Sequence, residues 1–427
     1  MARQTVLHGS HVGAVYVSEE TVTFGTAGTE RRCHVKADSV DLQVTQAEVD
    51  RMRLSPSVND YLAPVRGYKA ATCALVHYLQ PATTVLADNA TPDADANAPL
   101  RVLMRCILGG ESVAAGSVSA AGTYSSTANG TPFDVSSGDG ANFPAGQIVA
   151  VDQSGNVGAE DLVPCRVRVR STDTITVWPA LGTVPSAGGG ERVINSYTWY
   201  PTQTNTRSLS VALAPAQGTA LEYRATGGTG SFELSFNRGE LLEASFDLQF
   251  ASHVGPADLS LGAAVASDPM APPLSTRGAK LYLQPIATTT RTCLSVDSMT
   301  LRVNAGMEHR ETLTCGVEGM SGTMRSAGLQ EAFAEAELVL DVDTDYDTST
   351  WTDQTELSMM FFVPFDAASS RRMVVVDIGR CVIVGKPAVA RGANNLAKMT
   401  LVLRAQRDTS VTGTTDLATA PLRIAIL

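Results

Sequence analysis

The strongest alternation of hydrophobic and polar positions in the chain lies between residues 231 and 250. On both sides of Asn237-Arg238-Gly239, whose residue types favour a tight turn, every second residue is apolar. These apolar positions are Phe232, Leu234, Phe236, Ala244, Phe246, Leu248 and Phe250. A period of two predicts two strands, each with one hydrophobic face. Because an isolated hairpin is unstable in water, we expect this face to pack on another sheet, on a helix or on a neighbouring subunit.

Weaker alternation predicts strands along most of the chain. They fall at 33–44, 66–79, 147–151, 165–169, 174–178, 208–213 and 220–225 before the hairpin, and at 293–303, 311–317, 337–342, 356–363, 373–384 and 398–403 after it. One helix is predicted at 99–108, where Pro99 stands in the first turn, apolar residues follow at helical spacing, and Gly109-Gly110 ends the run. Short helical segments are predicted at 46–53 and 329–335.

Changes in composition divide the chain into regions. Residues 1–30 are polar and rich in glycine, which favours an extended N-terminal arm. Residues 110–146 are dominated by Gly, Ser, Ala and Thr and favour a long surface loop. The short strands that follow predict a small β-barrel within an insertion at 111–200. The remaining regions are a first module at 31–110 and 201–255, a linker rich in Pro and Ala at 256–290, and a second module at 291–427.

An internal repeat relates the two modules. Residues 37–44 (ADSVDLQV) and 296–303 (VDSMTLRV) share Asp38/Asp297, Ser39/Ser298, Leu42/Leu301 and Val44/Val303. The order continues with Thr72-Cys73 against Thr314-Cys315, a helix after each, and 243–248 against 398–403. This order predicts a duplicated module, the alternative being that β-proteins share short alternating sequences by chance. The predicted fold is mainly β, with tandem β-sandwich modules that each carry a flanking α-helix, and a small inserted β-barrel.

The charge of the chain argues against tight binding of nucleic acid. The net charge is −11 and only 18% of residues are charged, with no block of Lys and Arg. A surface that grips phosphates is basic, whereas an acidic surface repels DNA and lets it slide past. The sequence contains no run of 18 apolar residues, and its first residues lack the apolar core of a signal peptide. We therefore expect a soluble protein made in a cytoplasm.

The cysteine and histidine residues do not form a recognisable metal motif. The seven cysteines (Cys33, Cys73, Cys106, Cys165, Cys293, Cys315 and Cys381) include no CxxC pair, which favours buried free thiols over a zinc site or a disulfide framework. The six histidines show no HExxH spacing. At 341–347, Asp occupies every second position, but Tyr346 replaces the Gly and Thr352 the Glu of a calcium loop. A solvated acidic loop is the favoured interpretation of that segment.

No catalytic motif is present in the sequence. GxSxG, Walker and GxGxxG patterns are absent, and Gly227-Gly228-Thr229-Gly230 precedes a strand and not a helix. The three tryptophans are scattered, which argues against an aromatic platform for sugars or single strands. We therefore expect no catalytic residue, no cofactor and no metal, and a protein that is not an enzyme.

The order of strand, strand, helix, β-insertion and long hairpin resembles the major tail tube proteins of long-tailed bacteriophages. The resemblance covers most of residues 30–405 and includes the hairpin GELLEASFDLQF and the start of the second module, VDSMTLRVNAG. It implies a β-sandwich with one flanking helix, whose inner sheets join edge to edge across subunits into a barrel around a lumen. Rings of such subunits stack into a tube. Two fused modules imply a trimeric ring with six quasi-equivalent modules, in preference to a hexamer.

The resemblance also assigns roles to the hairpin. Ser245, Asp247 and Gln249 would line the lumen, while the alternating apolar residues Phe232, Leu234, Phe236, Phe246, Leu248 and Phe250 would lie in the core or between subunits. The implied partners are copies of the chain itself, the tape-measure, tail terminator and distal tail proteins, and DNA that passes without specific binding, but no membrane. The implied location is the phage tail of the virion, after assembly in the host cytoplasm.

Three alternatives remain open on the sequence alone. The hairpin could pack wholly within a monomeric sandwich. The chain could be a carbohydrate-binding or adhesin-like protein that uses the small barrel as its binding module, in which case surface aromatic residues should cluster. It could also be an enzyme such as a glycosidase, which requires a pair of essential acids.

Overall fold

The computed structural model describes 23 segments of the chain. They are residues 5–8, 12–20, 24–33, 35–36, 39–51, 62–79, 98–114, 120–121, 130–152, 162–181, 192–194, 196–202, 207–215, 222–261, 275–286, 293–304, 307–311, 320–325, 333–341, 356–364, 373–385, 387–391 and 397–427. Throughout these residues the protein is mainly β, as the alternation predicted, and its strands pair in antiparallel ladders.

The elements of the N-terminal part are β1 (Thr5–His8), β2 (Val12–Glu20), β3 (Arg31–Cys33), β4 (Asp41–Arg51), β5 (Leu62–Tyr78), α1 (Ala98–Leu108) and β6 (Gly109–Ala114). The next elements are β7 (Ala120–Ala121), β8 (Thr131–Val135), a 3-10 helix (Asp139–Asn142), β9 (Ile148–Asp152), β10 (Leu162–Ser171), β11 (Thr174–Trp178), β12 (Arg192–Ile194) and β13 (Ser196–Pro201). Strand β14 (Ser208–Pro215) follows, and after it come the two strands of the long hairpin, β15 (Glu222–Asn237) and β16 (Glu243–Ala257).

The C-terminal part begins with β17 (Lys280–Pro285), β18 (Cys293–Leu294), β19 (Val296–Val303), β20 (Met307–Glu311), β21 (Met320–Arg325) and β22 (Ala334–Asp341). It ends with β23 (Leu357–Pro364), β24 (Met373–Ile383), β25 (Ala388–Arg391), β26 (Ala397–Ala405), α2 (Asp416–Thr419) and β27 (Arg423–Ile426).

The long strand β15 joins two sheets of the first module. Along one edge it pairs with β16, which pairs with β5, and β5 with β4. Along the other edge it pairs with β14 through its first half and with β19 through its second half. Beyond β14 lie β2 and then β3, so the first module is a sandwich of β4-β5-β16-β15 against β15-β14-β2-β3. Its core is continuous with that of the second module.

The second module repeats the strand order of the first. The inner sheet is β19-β22-β26-β25, and the outer sheet is β24-β23-β17-β18. Strand β24 joins the end of β26 as well, so β24 and β25 together take the place of β15. The other strands of these sheets correspond in pairs: β2/β17, β3/β18, β4/β19, β5/β22, β14/β23 and β16/β26.

The register of the strands agrees with two of the predicted alignments and contradicts a third. Leu42 lies opposite Cys73 and Cys73 opposite Leu248, while Leu301 lies opposite Ala336 and Ala336 opposite Leu403. The predicted alignments Leu42/Leu301 and Leu248/Leu403 therefore hold in the sheet. The exception is Cys73, whose counterpart is Ala336 and not Cys315, because β22 occupies the place next to β19. Thr314 and Cys315 lie outside the described residues.

Several predicted boundaries are wrong. The arm at 1–30 contains β2, in which Val15 and Val17 are fully buried between β14 and β3, and the linker at 256–290 contains β17. The helical segment at 46–53 is β4 as far as Arg51, and the helix at 329–335 overlaps the start of β22. Parts of the predicted surface loop at 110–146 form β6 and β8. These strands were not predicted because they contain small residues or are short. Strand β2 begins Val-Gly-Ala, and β17 has six residues.

The predicted helix is confirmed as α1, which begins one residue earlier than expected. Its Leu103 and Ile107 are fully buried, and the helix packs against β2, β13 and β14. Gly109 follows in the left-handed region at φ 94°, a conformation that ends helices and that glycine adopts without strain. The second helix, α2, has only four residues and begins at an N-cap in which Thr415 Oγ1 accepts a hydrogen bond from Ala418 N.

The insertion forms a six-stranded sheet in the order β12-β9-β10-β11-β8-β7. One face has its own core around Phe133 and Phe143. The other face places Trp178 and Ile148 against the outer sheet of the second module, where they meet Phe362. The strands that lead into and out of the insertion also extend that outer sheet, in the order β24-β27-β13-β6. The insertion therefore leaves the first module and packs on the second.

Candidate functional site

The predicted hairpin residues divide between the core and the surface. The six apolar residues Phe232, Leu234, Phe236, Phe246, Leu248 and Phe250 are each at most 3% exposed and belong to one core. On the opposite face, Asp247 and Gln249 are exposed and Ser245 is half-buried. The hairpin packs within the chain on both sides, because β16 pairs with β5 and β15 pairs with β19.

The hairpin forms the middle of a broad wall. We use this name for the eight-stranded sheet β4-β5-β16-β15-β19-β22-β26-β25, in which the inner sheets of the two modules join at β15 and β19. Burial alternates along its strands, with apolar residues toward the core and mostly polar residues on the other surface, which we call the wall face. The polar residues predicted to line a lumen lie near the centre of the wall face.

A row of alternating charges crosses the junction of the two modules on the wall face. Successive strands place Ser245, Glu233, Arg302, Glu335 and Arg404 opposite one another. Arg302 Nε donates to Glu233 Oε2 at 2.9 Å, and Arg404 Nε donates to Glu335 Oε1 at 2.9 Å. Oppositely charged cross-strand neighbours of this kind favour the observed register over a shifted one.

Carboxylates neutralise each lysine and arginine whose side chain the structure describes within the strands of the wall, whereas Arg238, in the turn between β15 and β16, is exposed and forms no ion pair with the described side chains. Besides the pairs in the charge row, Lys36 contacts Glu243, Arg302 also approaches Glu337, and Lys398 contacts Asp297. Asp247 has no basic partner among the described side chains. The described strands therefore leave the wall face with an acidic excess, and Arg238 at the hairpin turn is a free cation at its rim.

The two modules differ at the edge of the wall. Val389 of β25 lies opposite Met399, just as Leu234 of β15 lies opposite Ala244 in the first module. Leu234 is fully buried because β19 pairs alongside it, whereas Val389 is 65% exposed. In the described part of the chain, β25 pairs only with β26. The wall therefore ends in a strand with an open edge and an exposed apolar side chain.

A buried ion cluster joins the insertion to the second module. Arg166 of β10 donates to Asp377 of β24 at 2.5 Å, and Arg423 of β27 lies 3.0 Å from both Asp377 and Asp408. All four side chains are fully buried, and the Arg166 guanidinium stacks over Trp178 at 4.9 Å. Burial opposes ionisation of Asp408, but Arg166 and Arg423 outweigh it and lower its pKa to about 2. Two arginines and two aspartates make the cluster neutral.

The sequence pattern did not identify this cluster or its supporting glycine. A Cβ on Gly379 would lie 2.0 Å from Asp408 Oδ2, so a glycine there allows the carboxylate to approach β24. The available signal was a charged residue inside an apolar run, as in Met373–Ile383 (MVVVDIGRCVI), because a buried charge requires a partner.

The described cysteines are buried with one exception. Cys33, Cys73, Cys106, Cys165 and Cys381 are buried free cysteines, as predicted, but Cys293 is exposed. Burial raises the pKa of Cys73 to about 12 and raises those of Cys106 and Cys381 as well. Such thiols do not form the reactive thiolate near neutral pH.

No metal-binding group of three or more His, Cys, Asp or Glu side chains occurs among the residues that the structure places. Asp341 ends β22, and the rest of the acidic segment at 342–347 lies outside the described residues. The large hydrophobic side chains exposed in the described segments are Val113, Leu241, Val254 and Val389, none of them aromatic. No helix in these segments is long and apolar enough to cross a membrane.

No family model matches the chain, and no curated protein matches it.

Proposed function

We propose that this chain is a structural subunit of the tail tube of a long-tailed bacteriophage. In this proposal the wall faces the lumen, rings of the subunit stack into a tube, and DNA passes through without specific binding. The role is structural and not enzymatic. The partners are other copies of the chain together with the tape-measure, tail terminator and distal tail proteins. The location is the virion, after assembly in the host cytoplasm.

The observation that carries the proposal is the wall face, on which the cations of the described strands are paired with carboxylates. A conduit for DNA needs a surface that is polar, so that water fills the lumen, and that does not bind phosphates. Ser245, Asp247 and Gln249 present such a surface, and the neighbouring arginines are neutralised. A DNA-binding protein would instead leave arginines and lysines free to contact the backbone.

The width of the wall favours three chains over six in each ring. Strands lie ~4.8 Å apart, so three copies of the eight-stranded wall would close a barrel ~37 Å across between backbones, and strand tilt would widen it. Side chains would remove ~5 Å on each side, leaving a lumen somewhat wider than a DNA duplex. Six copies would give a diameter of ~73 Å, far wider than one duplex requires.

Particle mass and electron microscopy of the concentrated protein test the proposal. We expect annular particles with the mass of three chains, and stacks of them at higher concentration. The matched control is the same protein at a concentration at which only monomers are present, which should show the same circular dichroism. A protein that stays monomeric at every concentration and in every salt condition would refute the proposed function.

A further inference from the structure

The open edge of β25 and the covered edge of β4 are the two ends of the wall. Because the modules repeat in register, the junction between β15 and β19 inside the chain is a template for the contact between one copy and the next. In that junction Leu234 lies opposite Leu301, and both are fully buried. Their counterparts are Val389 on β25 and Leu42 on β4.

Strand β1 already occupies the edge of β4 in the single chain. Leu7 lies opposite Leu42 and Thr5 opposite Val44. In the junction between modules, Leu234 lies opposite Leu301 in the same antiparallel sense. Strand β1 therefore sits in the register that the template gives to the β25 strand of a neighbouring copy.

We infer that β1 covers the assembly edge of the unassembled chain and that β25 of a second copy replaces it. The inference rests on the proposed function, and the partner that it names is another copy of this chain. The template fixes the register: Val389 of one copy pairs with Leu42 of the next, and Ala388 pairs with Gln43. The replacement buries Val389, which is 65% exposed in the single chain, and completes the backbone hydrogen bonds of β25.

Before assembly, β1 would protect the edge of β4 from pairing with other strands. An unprotected edge of a long sheet pairs with any available strand and causes aggregation. A short strand from the same chain, Thr5–His8, covers that edge with four residues. Because it is short, a neighbouring strand that also buries an apolar side chain can displace it.

Cysteine pairs that share Gln43 distinguish the two states. The first variant carries Gln43→Cys and Val6→Cys, residues that lie opposite each other in the single chain. The second carries Gln43→Cys and Ala388→Cys, which the template places opposite each other between copies. Both variants also carry Cys293→Ser to remove the thiol that is exposed in the described residues. Each is oxidised as monomer and as assembled particle, and the products are separated on denaturing gels.

We expect the two introduced cysteines of the first variant, the 6/43 pair, to form a disulfide within one chain in the monomer. The yield of this disulfide should be much lower in assembled particles. The cysteines of the second variant, the 388/43 pair, should form disulfides between chains and give covalent dimers and trimers in assembled particles only. Particles in which 6/43 keeps its yield and 388/43 gives no product would overturn the inference while leaving the proposed function intact. Disulfide products of the 388/43 pair in open filaments, without annular particles, would support the contact between β25 and β4. They would refute the closed ring.

A substitution at the open edge provides a second test. Val389→Asp should raise the concentration needed for assembly at least about tenfold, because the interface would bury an unpaired charge. The matched control is Val254→Asp, which makes the same change at another exposed strand residue and should alter that concentration less than about twofold. Removal of residues 1–11 should lower it. Equal effects of the two substitutions would contradict the assignment of β25 to the interface.

Discussion

The wall face and the buried ion cluster contain the same kinds of charge pair in opposite environments. On the wall, Arg302 is 64% exposed and pairs with Glu233, which is 40% exposed. In the cluster, Arg166 and Asp377 are fully buried. Exposed pairs contribute about 0–1 kcal/mol each, whereas removal of one partner from a buried pair costs about 3–5 kcal/mol. The cluster therefore fixes the insertion on the second module. The wall pairs contribute little to stability and mainly neutralise the cations of the wall face.

The largest expected difference between the two regions follows from Asp377→Asn. This change leaves Arg166 and Arg423 with one carboxylate between them in a buried site, so we expect a loss of about 3–5 kcal/mol in the free energy of unfolding, measured in urea. The matched control is Glu356→Gln, which removes a half-exposed carboxylate paired with Arg380 and should cost less than about 1 kcal/mol. Similar losses for both would remove the distinction between buried and exposed pairs.

Acid should weaken the cluster through Asp408. The pKa of Asp408 is about 2 in the folded protein and about 3.9 in an unfolded chain. A lowered pKa stabilises the folded state above the unfolded value, and this contribution is lost as the pH falls from about 4 to about 2. The full shift corresponds to about 2–3 kcal/mol.

The pH dependence of unfolding tests this prediction. Unfolding free energies of the native protein and of Asp408→Asn are compared from pH 5 to pH 2. We expect the native protein to lose about 2 kcal/mol more than the variant over that range, because the variant has no carboxylate to protonate. Parallel curves for the two proteins would show that Asp408 has an ordinary pKa in the folded state.

The alternation of residues along the strands could be predicted because it is a local property. A period of two identifies a strand without knowledge of its partners, so β15 and β16 and their buried faces were predicted correctly. Their partners depend on contacts distant in sequence: Arg166 and Asp377 are 211 residues apart, and β27 pairs with β24 and β13. Short strands such as β17 also have too few alternating positions to be recognised.

The internal repeat could be predicted where matched runs of residues were long enough to align. One of its alignments, which used only two residues, was wrong. Leu42 and Leu301 stand within matched runs of residues, so the alignment needed no structure. The match of Cys73 to Cys315 used two residues alone, and the register instead gives Ala336 as the counterpart. Small buried residues such as Cys and Ala replace each other in a core without leaving a sequence signal.

Freeing an arginine on the wall should change its behaviour toward DNA with little effect on stability. Glu233→Gln combined with Glu337→Gln removes both carboxylates that contact Arg302. We expect the free energy of unfolding to change by less than about 1 kcal/mol. Assembled particles of the variant should retain short duplex DNA at low salt, and added salt should release it.

The control for this variant keeps the charge change and leaves Arg302 paired. Glu240→Gln combined with Glu356→Gln removes two carboxylates, at the hairpin turn and near Arg380, without touching Arg302. Its particles should retain no more DNA than those of the native protein. Equal retention in the two variants would indicate an effect of net charge and not of a freed cation on the wall.

The smallest expected change in stability comes from Gln249→Leu. Gln249 is exposed on the wall face, so the free energy of unfolding should change by no more than about 0.5 kcal/mol. Passage of DNA through tubes that contain the variant should be impaired, because an apolar patch would replace part of the polar lining. Loss of ring formation by the variant would show that the two faces of the hairpin are assigned the wrong way round.

The most direct test of the central claim is a map of the assembled particle by electron cryomicroscopy. The account predicts three chains per ring and an inner barrel built from β4, β5, β16, β15, β19, β22, β26 and β25, with Ser245, Asp247 and Gln249 facing the lumen. A ring in which the insertion lines the channel, or in which the wall faces solvent on the outside, would contradict it.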